Sequence, residues 1–426
     1  MLKLSKDIWI ICAGFVAAMH IGKLPPVVHI LQNELHISLI QAGLLLSLVQ
    51  GAGMCFALLL GSYVERIGLK NCIVIGLLLL FSASLWGSFS HDIYSLLLLR
   101  IVEGFGFLLV TLSAPAYIRK LVPSEQIHKK MGVWSAYMGG GVGIAILISP
   151  YLIEYFYWQG VWIFFAILSV IIALIIYKQV PNVQEINQDL SHQHRVTESS
   201  ENQTVNAKNI DVKQLIAITL KHPPAWILAI IFATYTGQWL GLIGFLPSIY
   251  QQNQISLQMA GVLTAIIAMS NAVGTVYCGH LIQKGIRPKY LIQIGFLILI
   301  FCAIGFYGFK QFLPFILQYV LVLSFSLFGG FVAAVVFSQA LHFAVHPLAI
   351  STTIGLILQL SAISQLVLPP SVAFIVSQFG SWIWVGVLMA ILSCCGIVSS
   401  QLLFKTKYKQ VSLKQSSGIE RELLGD

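Results

Sequence analysis

Charge is scarce in this chain, and it is unevenly spread. Of 426 residues 9% are charged and 58% hydrophobic, where a soluble domain carries roughly 25% charged residues. No Asp or Glu occurs from Val212 to Ile419. Cysteine is sparse too: seven residues, none in a CxxC pair or a Cys/His metal spacing. A Walker-type phosphate loop is missing. These absences exclude an ordinary soluble core, a zinc or disulfide framework, and direct drive by ATP. No metal and no cofactor is expected. The acid/base constellation that a membrane-embedded enzyme would need is also missing, so the chain is not expected to be an enzyme.

What the chain has is long apolar runs. A bilayer span needs about 20 mostly apolar residues. Twelve such segments lie near 7–32, 39–63, 71–90, 93–117, 131–154, 157–178, 224–249, 256–282, 289–309, 312–341, 347–377 and 380–404. The first follows Lys3 and Lys6, as in a signal peptide, but it is too long for an h-region and reads as span one. The fold expected is an all-α membrane protein with twelve transmembrane helices in two six-helix bundles related by a pseudo-two-fold axis. The bundles occupy 1–180 and 223–404, joined by a polar linker at 181–222 and followed by a tail at 405–426. His192 and His194 in the linker read as solvated residues. The linker end "VKQLIAITL" reads as a short helix on the membrane surface.

Net charge is +9, but the basic residues alternate with spans instead of clustering. Nucleic acid is therefore excluded as a partner. With the N-terminus inside, 21 of the 24 Lys and Arg residues fall on the cytoplasmic side, as the positive-inside rule requires. A multi-pass protein of a bacterial inner membrane is expected, monomeric, with both termini cytoplasmic.

The two halves repeat. "ISLIQAG" (37–43) recurs 218 residues later as "ISLQMAG" (255–261), and Gly61 recurs as Gly279. "GSYVERIGLK" (61–70) faces "GHLIQKGIRP" (279–288) with one residue deleted. Internal repeats of spans characterise secondary transporters, whose site lies at the repeat interface near the midplane. Gly61, Glu65, Arg66, Gly68 and Lys70 fit G-x-x-x-[DE]-R-x-G-x-[KR], and the whole chain resembles the major facilitator superfamily. Such a loop implies a conformational gate at the cytoplasmic ends. The plainer reading is a tight loop of topogenic charges. A narrower resemblance, to the cyanate/2-nitroimidazole transporter family, lies in "MGVWSAYMGGGVGIAILISPYL" (131–152). The glycines there imply close helix packing and a pivot. The Gly-Pro of the superfamily's antiporter signature is not present in this span.

Ionisable groups inside spans are expensive and face cavities or one another. His20, Lys23, Arg100 and Glu103 are the candidates. His20 and Lys23 are three residues apart, on roughly one helix face. Pro25 and Pro26 lack N–H donors, which frees the carbonyls of Ile21 and Gly22. The resembling family carries a basic residue closely followed by proline here, with arginine expected. A lysine is a point charge and lacks the planar two-pronged grip. Arg100 and Glu103 can pair within span four, which "RIVEGFG" likens to the superfamily's R-x-x-x-G-x-G. Lys23, Arg100 and Glu103 sum to +1, which favours an anionic solute. Glu103 and His20 are the candidate proton carriers.

The second half offers neutral groups. Tyr235, Gln238, Trp239, Asn271 and Gln359, with Tyr137 of span five, are candidate substrate contacts for a small planar solute. For each, a plain packing contact is at least as good a reading. The function expected is secondary active transport of a small organic or inorganic anion by alternating access, with protons as a candidate coupling ion. The alternative is proton-coupled efflux of drug-like or nitroheterocyclic compounds. A transporter-derived sensor is disfavoured, because the tail is too short for an output domain.

Overall fold

The computed structural model describes residues 6–182, 212–309, 311–345 and 349–424. Most of the polar linker, 183–211 with His192 and His194, lies outside them. Among the described residues ten helices are long and apolar enough to cross a membrane, and there is no strand. One of the ten, Tyr137–Gln179, is two spans merged through Tyr157, whose φ of 56° and ψ of −174° are not helical. Span one is divided by its prolines into Lys6–Gly22 and Val28–Glu34. Separating the merged pair and adding the divided span gives the twelve expected from hydropathy.

The sequence repeat has a geometric meaning. Ser38 caps span two by accepting a hydrogen bond from the N–H of Gln41 at 3.2 Å, while its own N–H donates to Gln41 Oε1 at 2.8 Å. Ser256 caps span eight with the first of these bonds, accepting from the N–H of Met259 at 3.3 Å. Two residues before each cap the backbone turns left-handed, at His36 (φ 51°) and Gln254 (φ 62°). At the other end of both spans a glycine takes positive φ, Gly68 at 97° and Gly285 at 88°. A residue with a Cβ is strained there. Each repeat therefore encodes one helix with its entry and exit turns. The segment 212–220 folds as the helix Val212–Leu220.

The bundles meet along two seams, span two against span eleven (Ile350–Phe379) and span five against span eight (Leu257–Gln283). The glycine run of span five serves two neighbours. A Cβ on Gly143 would come within 2.6 Å of Met269 Cγ, and one on Gly139 within 2.8 Å of the Ala268 carbonyl, both in span eight. Gly140 and Gly141 press on Phe15 and Ala18 of span one instead. The run thus lets one helix touch both its own bundle and the other.

Overpacking such a contact costs about 1–3 kcal/mol. Gly143→Leu is expected to lower stability by that amount in thermal unfolding of detergent-purified protein. Gly132→Leu, where a Cβ meets nothing within 4 Å, is expected to cost less than about 0.5 kcal/mol.

Candidate functional site

The helix of span one stops at Gly22 because the next turn contains Pro25 and Pro26, which cannot donate. Lys23 still bonds back to the Met19 carbonyl at 2.9 Å. The carbonyl that gains an outside partner is that of His20, which accepts from Arg100 Nη1 at 2.8 Å. Arg100 belongs to span four (Ile93–Leu121), whose start is capped by Asp92 accepting from the Ser95 N–H.

Span four carries Glu103 one turn beyond Arg100, and this carboxylate holds two cations. Its Oε2 accepts from Arg100 Nη1 at 2.5 Å, and its Oε1 from Lys23 Nζ at 2.5 Å. Lys23 also donates to Ser84 Oγ of span three at 2.7 Å and to His20 Nδ1 at 3.3 Å. The Trp162 ring of span six lies 4.7 Å from the ammonium, close enough for a cation–π attraction. His20 Nε2 lies 2.8 Å from Ser169 Oγ, whose own proton goes to the Phe165 carbonyl. Nε2 is therefore the donor, and Nδ1 accepts from the lysine. His20 and Lys23 are 0% exposed, and Arg100 and Glu103 1%. Three formal charges and an imidazole are thus enclosed at one point in the first bundle.

Span two feeds the same point. Its helix tightens to a 3-10 turn at Leu48–Gln50. Arg100 Nε donates to the Leu45 carbonyl at 3.1 Å, and Gly104 packs so closely on the Val49 carbonyl that a Cβ would collide with it. From that turn Gln50 reaches across to the second bundle and donates to Gln365 Oε1 at 3.0 Å. Gln365 then donates to Ser361, and Ser361 to Thr236 of span seven, each at 2.9 Å.

The neutral candidates fall into separate places. Asn271 donates to the Tyr235 hydroxyl and to the Ser326 carbonyl, and Trp239 Nε1 donates to Ser326 Oγ at 3.1 Å. Tyr235, Trp239 and Asn271 so form one buried network across spans seven, eight and ten. Gln238 points elsewhere and accepts from Ser393 of span twelve at 3.1 Å. Gln359 ties spans eleven and two, donating to the Met54 carbonyl at 2.8 Å and accepting from the Leu58 N–H. Tyr137 stacks on Trp134 with centroids 4.6 Å apart.

In the loop motif Gly68 makes the positive-φ turn and Lys70 lies 5.4 Å from the Tyr177 ring centroid. A Cβ on Gly61 would meet only Leu112 at 3.9 Å, an ordinary contact. The side chains of Glu65 and Arg66 lie outside those described. At this end of the bundle Lys130, on the helix Ser124–Ser135 that leads into span five, pairs with Asp7 of span one at 2.6 Å.

Residues 10–369 match the Major Facilitator Superfamily. The chain belongs to that family. Among its curated relatives is the cyanate transport protein CynX of Escherichia coli (strain K12), 24% identical over 253 residues, 59% of each chain. Another is the methyl viologen resistance protein SmvA of Salmonella typhimurium (strain 14028s), 35% identical over 114 residues, 26% of this chain and 22% of the relative. The chain thus spans little more than half the length of the first and about a fifth of the second. Among solved structures, a bacterial homologue of the human lysosomal transporter Spinster, inward-facing and unoccupied, superposes with a TM-score of 0.75 at 15% identity, covering 94% of this chain and 97% of that one. That likeness supports the major facilitator fold alone.

Spacing within span four foretold the Arg100–Glu103 pair. It could not foretell Ser84, Trp162 or Ser169, because a serine or tryptophan in an apolar span usually serves packing. Gln50 was also missed, although a lone amide in the middle of span two is a readable signal.

Removing one member of a buried ion cluster strands the others, at about 3–5 kcal/mol. Glu103→Gln is expected to lose that much stability in unfolding measurements on purified protein. Lys23→Met in the same chain is expected to recover about 0.5–3 kcal/mol, because one of the two stranded cations is then gone.

Proposed function

We propose that this major facilitator protein is a secondary transporter that carries a small organic or inorganic anion by alternating access of its two bundles. The supporting observation is the enclosed cluster of Lys23, Arg100 and Glu103, with a formal sum of +1 and no exposure above 1%. An uncompensated charge in a dry site is costly, and an anion entering beside it removes that cost. Glu103 and His20, with Oε1 and Nδ1 3.5 Å apart, are the proton carriers of this reading. Tyr235, Trp239 and Asn271 form the neutral wall of the second bundle, and Gly61, Glu65, Arg66, Gly68 and Lys70 the gate. The protein works as a monomer in a bacterial inner membrane with both termini in the cytoplasm. The bias of Lys and Arg toward one side supports that orientation, and similarity to CynX fits the anion.

Efflux of planar drug-like compounds is the second reading. It is favoured by a half-open pocket of about 920 Å³ at one end of the second bundle, lined in part by Tyr307, Phe312, Phe315 and Trp382, and by the stretch shared with SmvA. A pocket of that size suits a drug-sized ligand better than a triatomic anion.

Vesicles containing the purified protein are expected to take up labelled cyanate saturably. Lys23→Ala is expected to lower that uptake at least ~10-fold with membrane insertion unchanged, and normal uptake would sink the anion site. Methyl viologen transported in place of cyanate would favour the second reading. A pH gradient, alkaline inside, is expected to accelerate uptake. A rate indifferent to the gradient removes Glu103 and His20 as proton carriers.

A further inference from the structure

Counting donors separates the two cations of the cluster. A lysine ammonium has three N–H donors and an arginine guanidinium five. All three of Lys23 are engaged, by Glu103 Oε1, Ser84 Oγ and His20 Nδ1. On Arg100, Nε donates to the Leu45 carbonyl, and Nη1 to the His20 carbonyl and to Glu103 Oε2. Nη2 is buried and has no hydrogen-bond partner among the described residues. A buried charged donor left unsatisfied is disfavoured, and an acceptor brought by a ligand relieves it.

We infer that the solute is a monovalent anion whose acceptor atom docks on Nη2 of Arg100, and that Lys23 is a positioning residue that holds Glu103 and not the solute. This rests on the anion-transport reading. To touch a solute, Lys23 would have to release Glu103, Ser84 or His20. Arg100 has to release nothing. Its other nitrogens are fastened to spans one, two and four, so the guanidinium plane is held in place before the solute arrives, and less affinity is spent on ordering it. Charge sets the valence. One negative charge brings the cluster from +1 to zero, a dianion leaves −1, and a neutral solute leaves +1.

Two double variants of equal formal charge test the assignment in the full-length protein. Lys23→Met with Glu103→Gln keeps only Arg100, and Arg100→Met with Glu103→Gln keeps only Lys23. The probes are cyanate and nitrate, with sulfate as the dianion, followed by calorimetric binding. The first variant is expected to bind the monoanions within ~3-fold of wild type, and the second to lose more than ~10-fold. Retained binding by the second variant, or equal binding by both, overturns the assignment to Nη2. Sulfate binding as tight as nitrate overturns the valence.

A single variant guards against a double variant that does not fold, with size-exclusion profiles as the check. Arg100→Lys keeps the charge but removes Nη2, and is expected to raise KM about 10-fold with kcat nearly unchanged. An unchanged KM overturns the proposal. Lys23→Met is expected to lose anion binding in calorimetry and regain it when Glu103→Gln is added. That rescue cannot occur if the lysine contacts the solute. A wild-type protein that binds no monoanion fails the anion-transport reading itself, whatever the variants do.

Discussion

Glu103 sets its two carboxylate oxygens against two different cations, Lys23 from span one and Arg100 from its own helix, each at 2.5 Å. In a dry interior neither cation could stand alone. The arrangement of the first bundle follows from keeping this trio satisfied. Span one breaks at its prolines where Arg100 takes the His20 carbonyl. Span two tightens where Arg100 takes the Leu45 carbonyl. Span three supplies Ser84, and span six supplies Trp162 and Ser169. Five of the six spans therefore contribute a group to one point, and the geometry of each is legible as an answer to the same electrostatic demand.

The second bundle keeps the topology and discards the charge. Gln238 lies 218 residues beyond His20, at the corresponding point of the repeat. His20 bonds to a serine of span six, and Gln238 to a serine of span twelve. The scaffold of polar contacts is thus partly preserved while the ionisable groups are gone. With no carboxylate from Val212 to Ile419, a step that changes protonation of an acid within the spans belongs to the first bundle. The second contributes shape, stacking and neutral hydrogen bonds.

Much of this is legible in the sequence. The apolar runs, the 218-residue repeat and the loop glycine Gly68 each carry a local signature, and each corresponds to a span, a cap or a positive-φ turn. The Arg100–Glu103 pair follows from a spacing of three. The Lys23–Glu103 pair does not, because 80 residues separate them and no local pattern links two helices. Facing is the other blind spot. Spans surrounded by lipid and by other helices are apolar on every side, so hydropathy could not say that Gln238 turns toward span twelve while Tyr235 turns toward spans eight and ten. Gly61 is a related case. A glycine within a span permits close helix approach, yet in this conformation a Cβ there would touch only Leu112.

A charged site in one bundle can drive transport only if occupancy alters the contact between bundles. The 3-10 turn at Leu48–Gln50 lies on one of the two seams where they meet. Arg100 holds the Leu45 carbonyl just before it, Gly104 abuts Val49 within it, and Gln50 at its end bonds to Gln365 of the other bundle. On the proposed anion-transport reading, a solute that shifts Arg100 pulls on the Leu45 carbonyl, and the Val49 backbone four residues on, packed against Gly104 of span four, moves with it. The next residue then either keeps or loses its bond across the seam. A glutamine pair is suited to that task. Neutral amides in a buried interface bond with modest net strength, about 0.5–1.5 kcal/mol, so the seam can be held and released within a cycle. An ion pair in the same place would be costly to separate. In the proposed cycle the charged centre and the neutral seam are thus complementary, the first to sense the solute and the second to part.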